Sequence, residues 1–308
     1  MRLIKPSFEI LEQEPGIQGI YKQIERAGRT CYKSEDRITE DSAEKFVNMI
    51  KDRQHTAMLE HGTVYLSCSD AEFIYLGLRY ECNIYSNVVW EEFAPGHRTK
   101  VYITTNYRVL YENNWLDDLK YLCEPTEYHE KRITVKFICD RGVSHEFVRH
   151  RVFSFAQEST RYCNYSKDKF GKELTFIIPC WANTNKFPKH TIITHDDFGD
   201  LIGEHYFHLS GKEASHFKPW EITPESNFIT SLQVSEQLYL ELLNQGWTPQ
   251  QARSVLPNSL KTELVMTGTL EQWKGFFKLR CDAAAHPQAR ELAIPLKEEF
   301  KKLHYIND

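Results

Sequence analysis

Several signatures that would assign this protein to a common class are absent from its 308 residues. No run of about 18 apolar residues occurs, so a membrane-spanning helix is not indicated. The opening MRLIKPSFEI lacks an apolar run followed by small residues, so we expect no export and a cytoplasmic location. The 38 Lys and Arg against 43 Asp and Glu give a net charge of −5, which argues against a protein that coats nucleic acid.

Common nucleotide and metal motifs are also missing. The sequence has no G-x-x-x-x-G-K-[ST], and its early glycines do not form G-x-G-x-x-G, so neither a P-loop nor a standard Rossmann site is expected. His145 and Glu146 begin like a zinc-protease motif, but the next histidine, His150, is displaced from the helical face that a metal needs. The pair His205 and His208 has no identified third ligand, so we expect no metal site.

The eight cysteines never form a C-x-x-C pair. This spacing argues against a zinc ribbon or a thioredoxin-like redox pair, so reduced and mostly buried thiols are expected. Cys180 follows Pro179 at the end of an apolar run and is the one cysteine that could be imagined as a nucleophile. Because no base stands beside it in the sequence, we interpret Cys180 as a buried structural residue.

The apolar pattern predicts an α+β protein with a mixed or antiparallel sheet flanked by helices. Helical spacing occurs at 17–24, at 40–53 and in three segments after residue 222, and alternation predicts strands at 61–68 and 131–139. The first of the late helices should begin at Pro224 and end at Gly246. Its inward-facing residues should be Phe228, Leu232, Leu238 and Leu242.

We expect one domain over residues 1–308 with two insertions, at about 68–130 and 170–215. The first insertion is predicted to be an irregular, aromatic-rich stretch. The second leads into a polar, His-rich segment that we expect to form a surface excursion with its own helix.

The most informative segment is RHRVFSFAQESTRY, residues 149–162, which concentrates guanidinium groups and hydroxyls between apolar residues. Guanidinium groups bind phosphate oxygens in pairs and stay charged at any working pH, so the segment suits a phosphorylated ligand. The residues alone leave two alternatives open. One is a solvated basic stretch, and the other is an RNA-binding surface in which Phe153, Phe155 and Tyr162 stack on bases.

Four segments stand in a characteristic order along the chain: HTAMLEH (His55 to His61), RHR-x-x-S followed by QES-x-RY, GWTPQQARSVLP, and FFKLRCDAAAHPQARE. In sequence and order they resemble the flavin-dependent thymidylate synthases. The second is similar to that family's R-H-R signature at the same spacing, and the others resemble its H-x-[ST]-x-x-E-H, A-R-x-x-L-P and C-terminal L-R elements. Four ordered elements make the resemblance far more specific than one motif would.

The resemblance implies that the protein methylates dUMP to dTMP, with methylenetetrahydrofolate as carbon donor, FAD as redox carrier and NADPH as reductant. It implies no enzymic cysteine nucleophile, in agreement with the lack of an activating partner beside any cysteine. It also implies a homotetramer with active sites shared between subunits, and neither nucleic acid nor membrane as a partner.

The resemblance also assigns site residues. Those implied to contact FAD are His55, Arg149, His150, Arg151 and Gln157. Those implied to contact dUMP are Arg149, Ser159, Arg161, Arg253 and Arg280. Arg280 is the expected catalytic residue, because a permanent cation beside the uracil would stabilise negative charge on the ring and make its carbon five more nucleophilic. Without the resemblance, Arg253 would be interpreted as a surface or cap residue and Arg280 as a cation favoured by a helix C-terminus.

Some residues depart from the family pattern. Ala57 stands where the family has Ser or Thr, so a hydroxyl contact to flavin is lost. Glu146 replaces an amide and would place a carboxylate near the nucleotide anion unless it turns away or is protonated. Four further departures call into question the flavin contacts near the last helices. They are Thr269, Leu270, Glu271 and Gly275. His286 has no assigned role, because the segment that leads to it is longer than in the shortest members.

Two alternatives therefore remain beside dTMP synthesis. An RNA-binding protein would bind oligonucleotides tightly and in a salt-sensitive way, without a yellow cofactor. A degenerate homologue would keep the nucleotide site and lack turnover, and Ala57 and Glu146 are the residues that suggest it.

Overall fold

The computed structural model describes residues 1–69, 71–94, 96–187, 193–194, 201–202 and 223–307. Its strands are β1 (Arg2–Ile4), β2 (Ser7–Leu11), β3 (Thr63–Cys68), β4 (Asn87–Ala94), β5 (His97–Asn106), β6 (Arg132–Asp140), β7 (Ser154–Gln157), β8 (Thr175–Ile177), β9 (Ile193–Thr194), β10 (Leu201–Ile202) and β11 (Lys261–Thr269). Its α-helices are α1 (Gly16–Tyr32), α2 (Ser42–Asp52), α3 (Phe73–Glu81), α4 (Tyr107–Glu112), α5 (Arg141–Phe147), α6 (Pro224–Asn244), α7 (Pro249–Ala252), α8 (Leu270–Arg280) and α9 (Pro287–Lys302).

Within the described residues these strands form three sheets. The central sheet is antiparallel, with strand order β2-β6-β11-β7. A mixed sheet has the order β10-β9-β1-β8, and a second antiparallel sheet has the order β3-β5-β4. The predicted α+β class, with mixed and antiparallel sheets flanked by helices, is confirmed.

Strands β6 and β11 are the longest pair of the central sheet, and each continues directly into a helix. Asp140 ends β6 and caps α5, its side chain accepting a hydrogen bond from the backbone N–H of Val143. Thr269 ends β11 and caps α8 through the backbone N–H of Gln272. Because the strands are antiparallel, the two helices start at opposite ends of the pair and approach each other across one face.

That face carries the main apolar core. Phe147 of α5 and Trp273 and Phe276 of α8 are buried there together with α9. The strand residues beneath them are Ile133, Val135, Phe137, Cys139, Leu264 and Met266, which alternate along β6 and β11 as one face of a sheet must. Trp273 also donates its indole N–H to the carbonyl of Ile133 at 3.1 Å, so the largest core side chain has no unpaired polar atom.

The opposite face of the central sheet packs against α1. Ala27 of α1 contacts Ala156 and Val265 in a small apolar cluster. The residues that alternate with the core residues of β11 therefore point towards α1, and they include the charged Lys261 and Glu263.

The predicted helices are present, with one error in an inward face. Helices α1 and α2 occupy the predicted segments, and α6 begins at the predicted Pro224. In α6 Leu232 is buried as expected, but Leu238 is 43% exposed and Tyr239 is buried in its place. Leu238 lies about 240° around the helix from Leu232, whereas the seventh residue returns to the same face. None of the described helices is long and apolar enough to cross a membrane.

The prediction of an irregular stretch at 68–130 is wrong. This segment contains α3, β4, β5 and α4, and β5 pairs with both β3 and β4. Residues 101–106 are buried on both faces, so the period-two signal of a half-buried strand is absent from them. The second proposed insertion contains β8, β9 and β10, while the predicted helix of its His-rich segment and the pair His205 and His208 lie outside the described residues.

Replacing Phe276 by Ala should lower the free energy of unfolding by about 3–5 kcal/mol, because its side chain is fully buried among aromatic rings of α5 and α8. Guanidinium denaturation measures this loss. Leu279→Ala on the same helix is the control, since Leu279 is 60% exposed and its truncation should cost less than about 0.5 kcal/mol. Equal losses in the two variants would contradict the described packing.

Candidate active site

Arg280, the predicted catalytic residue, is held by the end of α5. Its Nε atom donates to Nε2 of His150 at 2.9 Å, and its Nη1 atom donates to Oε2 of Glu146 at 2.6 Å. Its Nη2 atom donates to the backbone carbonyl of Glu146 at 2.5 Å. A guanidinium has five N–H groups, so each terminal nitrogen keeps an N–H that these bonds do not use. The structure thus brings the predicted Arg280 and His150 together and adds Glu146.

Glu146 neither turns away nor stands unpaired. It forms an ion pair with Arg280, and the two side chains are 30% and 16% exposed. Because a partly buried carboxylate beside a guanidinium is neutralised by it, the expected clash between Glu146 and an anionic nucleotide is offset inside the protein. The same contacts give Arg280 a structural function as well, since it binds the last turn of α5.

Burial and the Arg280 cation lower the pKa of His150 to about 4. The imidazole is therefore neutral at physiological pH, and its Nε2 accepts the hydrogen bond from Arg280. Burial also lowers the pKa of Arg280, while Glu146 opposes that change and Arg149 adds to it. Arg280 remains a cation at working pH because its starting pKa is so high.

Gln157, a predicted flavin residue, is fixed between α5 and the central sheet. Its side-chain amide donates to the hydroxyl of Ser144 at 2.8 Å and to that of Thr262 at 3.3 Å. Ser144 stands two residues before Glu146 on α5. Gln157 is therefore connected to the Arg280 group through one short helix.

A second group surrounds Ser159. The backbone N–H of Arg161 donates to the hydroxyl of Ser159 at 3.3 Å, which closes a turn after β7. Arg253 donates from Nη1 to the hydroxyl of Thr160 at 3.2 Å. The structure thus brings three of the predicted dUMP residues, Ser159, Arg161 and Arg253, to one turn.

His55, the predicted flavin residue of the first motif, joins this group through aromatic side chains. Its Nδ1 atom lies 3.1 Å from the hydroxyl of Tyr32, and the ring of Tyr32 lies 5.4 Å from that of Tyr162. His55 starts the 3₁₀ turn Thr56–His61, which is anchored by the buried His61 through Thr267 of β11. Tyr32 and His61 hold the motif in place; the sequence motif includes His61, whereas Tyr32 was not identified from the sequence.

Four of the predicted arginines present exposed guanidinium groups: Arg149, Arg151, Arg161 and Arg253. Among the described residues none of the four forms a salt bridge, whereas Arg280 does. Arg161 lies in the turn of Ser159 and Arg253 bonds to the same turn, so two unneutralised arginines make this turn locally positive on an acidic protein. Such a surface suits ligands that carry phosphates.

A cavity of about 300 Å³ lies beside Glu146. Its polar lining includes Asp140, Asn258, His286 and Gln288, and Trp181 forms one wall. His286, which had no assigned role, packs against the Trp181 ring at 5.7 Å. The cavity thus adjoins the carboxylate that binds Arg280.

The departures at the start of α8 have structural explanations. Thr269 caps the helix in a reciprocal arrangement with Gln272, and Leu270 packs on the core. Glu271 forms a surface ion pair with Lys274. A side chain added at Gly275 would meet open space. The side chains of Thr269, Leu270 and Glu271 are thus taken up by helix capping, core packing and a surface ion pair.

The interpretation of Cys180 as a buried residue is wrong, because Cys180 is exposed. Partial desolvation of the thiol and the nearby Glu291 nevertheless raise the pKa of Cys180, which disfavours the nucleophilic thiolate. All eight cysteines are free, and only Cys68, Cys139 and Cys163 are buried, so the expectation of mostly buried thiols is also wrong. Among the residues that the structure describes, no three His, Cys, Asp or Glu side chains are grouped to hold a metal.

Two of the three aromatic side chains that the RNA-binding alternative needs for stacking on bases lie in the core. Phe153 is buried in the main core, with its ring 4.8 Å from that of Trp273, and Phe155 packs against the same core. Of the three proposed stacking residues only Tyr162 is exposed. A single exposed ring does not form the series of platforms that single-stranded RNA requires.

The chain belongs to the thymidylate synthase complementing protein family, whose model matches residues 125–304. All predicted site residues except His55 fall inside this match. The resemblance to flavin-dependent thymidylate synthases is confirmed.

Individual relatives are similar over part of their length. The flavin-dependent thymidylate synthase of Synechocystis sp. is 26% identical over 170 residues, or 55% of this chain and 66% of the relative. That of Pyrococcus furiosus is 27% identical over 164 residues, or 53% of this chain and 52% of the relative. The chain thus spans about half to two thirds of the length of these curated relatives. A solved UMP/dUMP methylase, PolB from Streptomyces cacaoi, shares 16% identity over 98% of this chain and 93% of its own, with a TM-score of 0.40.

The pKa of His150 predicts how stability depends on pH. Since the folded value of about 4 lies below the ordinary 6.5, the unfolded chain binds the proton more readily. The contribution of neutral His150 to stability is therefore complete above about pH 6.5 and is lost as the pH falls towards 4. An NMR titration of the His150 ring measures the midpoint directly.

Arg280→Met should raise this midpoint without restoring it fully, because burial is the larger cause of the low pKa. Arg253→Met, whose guanidinium bonds Thr160 instead, is the control and should leave the midpoint unchanged. A wild-type midpoint near 6.5 would contradict the described contact.

Proposed function

We propose that this protein is a flavin-dependent thymidylate synthase that methylates dUMP to dTMP. The reaction would consume methylenetetrahydrofolate and NADPH with one proton, and release tetrahydrofolate and NADP⁺. The observation that carries the proposal is the turn that brings Ser159, Arg161 and Arg253 together, with Arg280 fixed by His150 and Glu146. Membership of the family and the names of the relatives support the same reaction.

The donor set fits FAD at the signature segment. Arg149 and Arg151 are exposed cations that follow α5 and would bind the pyrophosphate, with His150 between them and Gln157 towards the isoalloxazine ring. His55 would contact the flavin or the folate from the opposite side, at the position set by Tyr32. The transfer of reducing equivalents from NADPH would belong to bound FAD, and the protein would supply orientation and electrostatics.

Ser159, Arg161 and Arg253 would hold the phosphate of dUMP, because their groups converge on the turn after β7. Arg149 would contribute a further cation from the flavin side. The short turn is closed by its own hydrogen bond, so the Ser159 hydroxyl is held in place before the nucleotide arrives.

Arg280 would act on the uracil. Its partners fix the guanidinium plane, and the N–H groups that they leave unused can donate to a uracil oxygen. A cation at that point would stabilise an N3-deprotonated or enolate-like uracil, the form whose carbon five is nucleophilic towards the carbon donor. His150, being neutral at working pH, accepts a hydrogen bond from Arg280 and adds no competing charge.

The wider assignments also belong to this proposal. We expect a single domain over residues 1–308, a homotetramer with shared active sites, and a cytoplasmic location. Neither nucleic acid nor a membrane is an expected partner. A mass in solution near that of one 36.3 kDa chain at micromolar concentration would contradict the tetramer.

The purified protein should show a flavin absorbance spectrum, alone or after addition of FAD. It should oxidise NADPH in air at a rate that dUMP changes, and it should form dTMP when methylenetetrahydrofolate is added. Nucleotide and flavin binding without dTMP would identify a degenerate homologue. A colourless protein that FAD cannot reconstitute would contradict the proposed function.

Replacing Arg280 by Met should reduce the rate of dTMP formation by about a hundredfold or more, because a preorganised charge at the reacting ring is lost. FAD should still bind, since its expected contacts are other residues. Arg37→Met, at an exposed site on the turn Glu35–Arg37, is the matched control and should retain full activity. Unchanged turnover in the folded Arg280→Met protein would contradict the role of Arg280.

A further inference from the structure

A cluster of buried charges lies behind the signature segment, on the face of the central sheet that packs against α1. Glu158 and Glu263 are only 2% and 4% exposed. Glu158 directly follows β7 and lies opposite Glu263 of β11. Its backbone N–H donates to the carbonyl of Glu263 at 2.9 Å, next to the last paired residues of the two strands, Gln157 and Leu264. Like charges on adjacent strands repel each other and weaken the pairing unless a cation lies between them.

Lys261 supplies that cation. Its Nζ atom lies 2.9 Å from Oε2 of Glu158 and 2.6 Å from Oε1 of Glu263. The Nζ atom of Lys136 lies 2.7 Å from Oε2 of Glu263, and Lys33 pairs with Oε1. We call these five residues the Glu158–Glu263 cluster.

The pKa shifts of Glu263 and Lys261 agree with a buried ion pair between these two residues. Burial alone would raise the pKa of Glu263, but Lys261, Lys33 and Lys136 outweigh it and hold that pKa well below its usual range. Burial alone would lower the pKa of Lys261, but Glu158 and Glu263 raise it. Both groups are therefore charged at neutral pH.

The cluster is joined to the nucleotide site at two points. Glu158 lies between Gln157 and Ser159 in the chain, and the Tyr165 hydroxyl donates to its Oε1 at 2.9 Å. The backbone N–H of Ser159 donates to the carbonyl of Cys31 at 3.1 Å, at the end of α1 that also carries Lys33. The cluster therefore fixes both the strand end that precedes Ser159 and the helix end that Ser159 binds.

We propose that the Glu158–Glu263 cluster positions the nucleotide site: Lys261 cancels the repulsion between two cross-strand carboxylates, so that β7 ends on β11 and presents Ser159 in one arrangement. Its members contact none of the expected ligands and are positioning residues. The inference rests on the proposed function, in which Ser159 and the adjacent Arg161 bind dUMP.

The test compares Lys261→Met with the double variant Glu158→Gln/Lys261→Met, by titrating dUMP into the FAD-loaded protein. In Lys261→Met two buried carboxylates lose their shared cation, so the Kd for dUMP should rise about tenfold. In the double variant the repulsion is gone, and the Kd should return to within about threefold of the wild-type value. Lys22→Met removes the cation of an exposed pair with Glu14, at 2.6 Å, and should leave the Kd unchanged.

Thermal melting establishes that each variant is folded at the titration temperature. A folded Lys261→Met protein with wild-type affinity for dUMP overturns the inference, and so does a double variant as weak as the single one. If Lys261→Met does not fold, Tyr165→Phe removes only the hydroxyl bond to Glu158 and should raise the Kd about threefold. An unchanged Kd in that variant then overturns the inference.

The wild-type titration separates the two proposals. A wild-type chain that binds no dUMP contradicts the proposed function and the inference with it. Wild-type binding with unchanged affinity in the cluster variants contradicts the inference alone.

Discussion

The antiparallel pairing of β6 with β11 determines where the functional side chains can lie. Each strand has nine residues and is about 30 Å long. Helix α5, with seven residues, starts at one end of the pair, and α8, with eleven, starts at the other. Their lengths of about 10 Å and 16 Å sum to nearly the length of the strands, so the two helices meet end to end above the sheet. Arg280 is the last residue of α8 and contacts Glu146 on the last turn of α5 because of this geometry.

The two faces of the same strand pair serve different purposes. On one face, aromatic residues such as Trp273 and Phe276 pack beneath α5 and α8 and fix the position of Arg280. On the other, Lys261 and Glu263 engage Glu158 and fix the turn that carries Ser159. Since neighbouring residues of a strand point to opposite faces, a nine-residue strand can support the Arg280 guanidinium on one face and the turn of Ser159 on the other.

Local patterns in the sequence predicted much of this arrangement. Helical spacing located α1, α2 and α6, and alternation located β3 and β6. Strand β5 was missed because its residues 101–106 are covered on both faces and show no alternation to detect. Leu238 was misplaced because its spacing of six residues from the buried Leu232 puts the two side chains on different faces of α6.

The candidate site was predictable only as a set of residues. The sequence motifs identified Arg280, His150 and Ser159 as site residues. The contacts that hold the site join residues far apart in the sequence. Glu146 is 134 residues from its partner Arg280, and Glu158 is 103 residues from its partner Lys261. Such contacts follow from strand register and helix length. The role of Glu146 as the partner of Arg280, and of Tyr32 as the partner of His55, could therefore be recognised only in the folded chain.

In the proposed reaction the uracil reacts where α5 and α8 meet. A crystal structure of the protein with FAD and dUMP tests it most directly. We expect a uracil oxygen within hydrogen-bond distance of the Arg280 guanidinium, and the dUMP phosphate in contact with Ser159, Arg161 and Arg253. A nucleotide bound elsewhere, with Arg280 in contact only with Glu146 and His150, would contradict it.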